Sequence, residues 1–100
     1  MKLNGKTIKL EPYAAENLDN ETVIYIEESG KIVLLNDSAT IILNQIYQGY
    51  SKGTDTSTDD IVACIFNIYP SLSKDELNNI YCDVKETIDL FFEASLIKEI

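Results

Sequence analysis

Apolar spacing changes period once along this chain, close to Asn36, and that change limits the fold more than any other feature of the sequence. Before it, apolar and polar residues alternate in short segments rich in strand-favouring residues. The segments 14–18, 22–27 and 31–35 are separated by the turn signals Asp19-Asn20 and Glu28-Ser29-Gly30, which predicts a three-stranded antiparallel meander. Within 22–27, Val23, Tyr25 and Glu27 share one face and Ile24 and Ile26 the other. The stretch 6–10, ahead of Pro12, can be read as a further strand or as irregular chain, and the order of residues 1–12 is left open.

After Asn36 the spacing is helical. Asp37 or Ser38 can cap a first helix whose stripe is Ile41, Ile42 and Ile46, with Gly49 marking its end. The polar stretch 50–57 carries no signal for order until Ser57 or Thr58 caps a second helix. That helix aligns Ile61, Cys64, Ile65 and Ile68 and stops before Pro70. A third, longer helix starts at Ser73 with Asp75 and Glu76 in its first turn. Leu77, Ile80, Val84, Ile88 and Phe91 form its core sector, and Tyr81, Lys85 and Phe92 cluster on a flank. Asn79, Glu86, Asp89 and Glu93 make the solvated side. Strands followed by helices, with no parallel crossover, predict a single α+β domain of a three-stranded antiparallel meander and three helices.

Chemistry narrows the function. There is no histidine, no glycine-rich phosphate loop and no cysteine pair at metal-ligand spacing, so the expectation is a non-enzyme with no cofactor and no metal. Cys64 and Cys82 are expected as reduced thiols, the first buried and the second near the surface, with a disulfide as the lesser alternative. A net charge of -9, from 17 acids and 8 bases, repels phosphate and argues against nucleic acid and anionic membrane as partners. No apolar run is long enough to span a bilayer and no apolar block follows Met1–Lys6, which predicts a cytoplasmic location.

The segment 30–46 poses the functional question. Its strand half, Ile32, Val33, Leu34 and Leu35, has no polar side, yet a meander leaves its third strand at an edge blunted only by Lys31. One face can pack on the core, while the other face and the open backbone suit an added peptide strand. The third helix, widened by Tyr81 and Phe92 around Lys85, can supply a second wall. Tyr81 and Phe92 can equally pack on 50–57 or in a homodimer.

Two resemblances follow. Asp37-Ser38 at a helix start resembles the phosphopantetheine attachment site of acyl carrier proteins, which makes an acyl or peptidyl carrier modified on Ser38 the alternative reading. Those carriers are helical bundles, whereas strands precede Ser38 here. Over a much longer span, roughly 14–97, the chain is similar to the PqqD-like peptide chaperones, also called RiPP recognition elements. Leu35-Asn36, Gly49, Thr58, Ile61, Tyr69, Asp83-Val84, Ile88, Phe91 and Leu96-Ile97 carry that similarity. It implies a winged-helix-like domain that captures the leader of a ribosomally made precursor peptide and presents it to a separate maturation enzyme, such as a radical-SAM enzyme, a cyclodehydratase or a leader protease. It further implies that the leader adds as an antiparallel strand to Lys31, Ile32, Val33, Leu34 and Leu35, against Tyr81, Val84, Lys85, Ile88 and Phe92. The chain departs from the family pattern in the length of 50–57, in Thr87 where a larger apolar residue is usual, and in Ser95 where glycine is common. A DNA-binding reading of such a fold fails on charge, because Lys74 and Lys85 are outnumbered on the third helix by Asp75, Glu76, Asp83, Glu86, Asp89 and Glu93.

Overall fold

A computed structural model describes residues 1–100. Asn4 and Gly5 both adopt positive φ, 51° and 80°, and so close a two-residue hairpin between β1 (Lys2–Leu3) and β2 (Lys6–Leu10). Pro12 then separates this hairpin from the meander β3 (Tyr13–Leu18), β4 (Glu21–Ile26) and β5 (Ile32–Leu35), ordered β3-β4-β5. Three helices follow: α1 (Asp37–Lys52), α2 (Thr58–Ile68) and α3 (Lys74–Glu93). A final strand, β6 (Ile97–Glu99), returns to pair antiparallel with β2 and completes a second sheet, β1-β2-β6. The α+β meander and its three helices form as the apolar spacing predicts; the second sheet is an addition to them.

The meander alternates as its sequence does. Ile24, Ile26 and Leu35 are buried, whereas Tyr25, Ile32 and Leu34 face outward. Seventeen buried apolar side chains form one cluster, in which Ile24, Ile26 and Leu35 from the meander meet Ile42 and Ile46 of α1, Ile61 of α2, Val84 and Phe91 of α3, and Leu3, Ile8 and Ile97 of the second sheet.

Helix ends correct two expectations. Asn36, not Asp37 or Ser38, caps α1: its Oδ1 accepts the Ala39 N–H at 2.9 Å while its own backbone stays extended. Nor does Gly49 end α1. It lies one turn inside the helix, and the stop is Gly53, at φ 69°, with the Thr54 N–H donating to the Gly49 carbonyl at 2.8 Å. Gly49 serves packing instead, because a Cβ there would stand 2.5 Å from Thr56 Oγ1 and 3.0 Å from the Thr54 carbonyl oxygen.

The stretch 50–57 is ordered by partners distant in sequence. Residues 50–52 extend α1, and beyond them the Thr56 N–H donates to the Lys2 carbonyl (2.9 Å) and the Asn4 N–H to the Thr56 carbonyl (3.0 Å). Asp55 Oδ1 accepts the Lys2 N–H at 2.8 Å. The Asn4 side chain then reaches the start of α2, accepting the Thr58 N–H at 2.7 Å and donating to Thr58 Oγ1 at 2.9 Å. Ser57 caps α2 in a reciprocal box with Asp60, and Ser73 caps α3 in the same way with Glu76. Ser95, at φ 62°, takes the left-handed conformation after α3, and the Leu96 N–H returns to the Phe91 carbonyl at 2.9 Å. Serine here takes a left-handed conformation that glycine adopts more readily. Cys64 is half-buried and Cys82 exposed, and both are free thiols.

Candidate functional site

β5 has a single neighbour, β4, so its other edge carries unpaired backbone groups. Which groups these are follows from the ladder. The Ile26 N–H donates to the Lys31 carbonyl at 2.9 Å, and bonded and non-bonded pairs alternate along an antiparallel ladder. Val33 opposite Ile24 is then a bonded pair, whereas Ile32 opposite Tyr25 and Leu34 opposite Val23 are not. The N–H and C=O groups of Ile32 and Leu34 consequently point outward, and those of Val33 are spent on Ile24.

Both faces of this edge are apolar. Val33 and Leu35 turn inward, Leu35 to 1 % exposure, while Ile32 and Leu34 stand 68 % and 61 % exposed beside Val23 and Tyr25 of β4. Next to the edge runs an open groove of about 330 Å³, lined by Lys31, Ile32, Val33, Leu90, Glu93 and Ala94. Its end is fixed by two bonds from the β4–β5 turn to the end of α3. Lys31 Nζ donates to the Glu93 carbonyl at 3.1 Å, and Ser29 Oγ to the Ala94 carbonyl at 3.4 Å. Lys31 thus neutralises the C-terminal dipole of α3.

The residues expected from the sequence divide between this groove and other places. Lys31, Ile32 and Val33 line it, and Leu34 lies on the exposed outer face of the same strand. Leu35, Val84 and Ile88 are core side chains, Val84 wholly enclosed. Tyr81, Lys85 and part of Ile88 line a different hollow of about 340 Å³ with Asn4, Ser57, Thr58, Asp59 and Asp89, beside the start of α2. There Lys85 Nζ sits 4.8 Å from the Tyr81 ring centroid, and the Asp59 carboxylate facing the Tyr81 hydroxyl raises its pKa. Phe92 is half-buried against the core.

Helix geometry explains the division. At about 100° per residue, Tyr81, Lys85 and Phe92 lie on one flank of the α3 core stripe, and Asp83, Thr87, Leu90 and Ala94 on the other. β5 borders the second flank. Periodicity defines the stripe and its two flanks without telling which one meets a strand. The groove residues missed in the sequence, Leu90, Glu93 and Ala94, did leave one sign: Leu90 is an apolar residue outside the core stripe, and it is 44 % exposed.

Two other features of the surface differ from this edge. The largest hollow, about 680 Å³, lies near the opposite sheet edge between β3 and α1, with Tyr13, Tyr47 and Tyr50 among its lining. Tyr13 and Tyr47 meet edge to face at 6.3 Å, and burial, helped by Tyr47, raises the Tyr13 pKa. β3 beside it presents Ala14, Ala15, Glu16 and Asn17, small or polar, so a strand added there would bury little apolar surface. Ser38 is exposed in the first turn of α1, but the six strands are incompatible with the helical bundle that a carrier role requires. No cluster of three or more His, Cys, Asp or Glu side chains is arranged to hold a metal ion, and no helix is long and apolar enough to cross a membrane.

No family model matches the chain, and no curated protein matches it in sequence. Among solved structures it is similar to TbiB1, determined in complex with the TbiA(beta) leader peptide, with a TM-score of 0.67 and 16 % sequence identity over 90 % of this chain and 94 % of that one. At this identity the likeness establishes a shared fold, the α+β arrangement described above.

Proposed function

We propose that this protein is a RiPP recognition element: it binds the leader of a ribosomally made precursor peptide by strand addition to β5 and presents it to a separate maturation enzyme, itself performing no catalysis. The observation that carries the reading is the unpaired edge of β5, apolar on both faces and bordered by a groove against α3. The fold shared with TbiB1, whose structure contains a leader peptide, supports the same conclusion. The outward amides and carbonyls of Ile32 and Leu34 would bond the leader backbone. Ile32 and Leu34 on one side, and Val33, Leu90 and Ala94 on the other, would receive its alternate side chains. A radical-SAM enzyme, a cyclodehydratase or a leader protease would take the bound precursor.

The strand-addition model is tested at Leu34. Its N–H faces outward, so Leu34→Pro removes a donor from the free edge and leaves the β4 ladder intact; Val33→Pro would instead cut the bond to Ile24. Titration calorimetry with the leader of any precursor peptide found encoded beside this protein is expected to show binding to the wild type and none to a folded Leu34→Pro variant. Unchanged affinity in that variant would exclude β5 as the site.

A further inference from the structure

Unpaired negative charge runs along the α3 flank that borders the groove. Leu90 and Ala94 form the floor of the groove and Glu93 lines its near end; beyond the groove's own lining, Glu86 and Asp83 stand one and two turns back from Leu90 on the same flank of the helix. All three carboxylates are exposed, and none takes part in an ion pair: the salt bridges of the molecule join Lys9 and Lys98 to Glu11, and Lys98 to Glu28, all on the second sheet and the β4–β5 turn. Lys31, the cation nearest the groove, is committed to the Glu93 backbone carbonyl.

A strand added to β5 would send alternate side chains to opposite faces. One set would continue the outer face of Ile32 and Leu34, where Val23 and Tyr25 make the surroundings apolar. The other set would turn toward α3 and meet an apolar floor with carboxylates along its rim. Lysine and arginine suit that surface, since their methylene stems lie on apolar surface while the charged head stays in water. Asp83 to Glu93 spans ten residues of helix, about 15 Å, and an extended chain places same-side residues about 6.6 Å apart, so the row has room for two or three such side chains. The overall charge of -9 draws a cationic segment in and repels an anionic one.

We infer that the segment received on β5 is a cationic amphipathic strand, with lysine or arginine at the alternate positions facing α3 and apolar residues at the others. This rests on the strand-addition reading above and adds the chemical class of the leader.

Three synthetic peptides separate the two ideas: alternating Val-Lys, Val-Gln and Val-Glu chains, end-capped and long enough to cover the groove, titrated by fluorescence anisotropy at low and high salt. The Val-Lys peptide is expected to bind roughly tenfold tighter than Val-Gln at low salt, with the preference shrinking as salt rises, and Val-Glu more weakly than either. A triple variant, Asp83→Asn, Glu86→Gln and Glu93→Gln, should lose most of that preference. A control triple of equal charge change on the β3–β4 hairpin, Glu16→Gln, Asp19→Asn and Glu21→Gln, should keep it. Equal affinity for the Lys and Gln peptides, or a preference that survives in the α3 triple, overturns the cationic inference while strand addition stands, provided Leu34→Pro still abolishes binding. Binding of all peptides to Leu34→Pro as to the wild type, or of none to the wild type, overturns both.

Discussion

Ser95 holds α3 in register with β6 through a backbone conformation that side-chain-bearing residues adopt at a cost of roughly 1–2 kcal/mol. Ser95→Gly is therefore expected to stabilise the protein by about 0.5–1 kcal/mol, part of the relief being offset by the greater freedom of glycine in the unfolded chain; urea unfolding of the two proteins measures it. Gly49 gives the opposite sign. Alanine is the better helix former by about 1 kcal/mol, yet its methyl would collide with Thr56 Oγ1 and crowd the Thr54 carbonyl, both fixed by the turn that binds β1. A net loss of about 1 kcal/mol in Gly49→Ala, with a lower melting temperature, is the expected outcome. Both positions stand out in the sequence, Gly49 as a match to the resembled pattern and Ser95 as a departure from it, but the sequence could not assign their conformations. Gly49 reads as a helix stop until Gly53 is seen to provide one, and the contact that excludes a Cβ comes from Thr56, seven residues on.

At the level of elements, α3 serves two neighbours at once. Its core stripe was legible from spacing, as Val84, Ile88 and Phe91 demonstrate by their burial, while the groove flank was not. A helix has two flanks, and only the docking angle of the β4–β5 hairpin selects the side of Leu90 over the side of Tyr81. The distinction is measurable. Leu90→Ala should weaken the proposed leader binding about fivefold with little effect on melting, because the side chain is half-exposed in the free protein; Tyr81→Ala, on the far flank, should leave affinity unchanged. The N-terminal hairpin shows the reverse relation between sequence and element. Asn4-Gly5 is a strong hairpin signal, and the two strands it joins are short, so β1 and β2 gain their stability from Leu3, Ile8 and Leu10 entering the core and from the Asn4 side chain bonding Thr58, the first residue of α2.

For the molecule as a whole, the two sheets are joined electrostatically. Glu11, its side chain only 5 % exposed, lies 3.7 Å from Lys9 and 3.8 Å from Lys98, and Lys98 reaches on to Glu28 at 2.6 Å in the β4–β5 turn. The hydrogen bond from Lys98 lowers the Glu28 pKa from its ordinary 4.5, and the same bond raises that of Lys98 from its ordinary 10.5. Glu28 thus adds stability above 4.5 that is lost as pH falls through its depressed folded value, and Lys98 adds stability below 10.5 that is lost as pH rises through its elevated one. Melting temperature should accordingly be flat through neutral pH and fall at both extremes, and in Lys98→Gln both falls should be shallower; both groups lie at the surface, so the effect is small and salt-sensitive. What the sequence determined by itself was local: alternation made a meander with an apolar third strand, helical spacing made three amphipathic helices, and Ser57 and Ser73 began two of them, because each depends on residues a few positions apart. What only the tertiary structure decided were the relations between distant segments. Pairing of β2 with β6, the ordering of 50–57 by β1, and the choice of the α3 flank beside β5 all arise from contacts made when the core closes, and no local spacing encodes them.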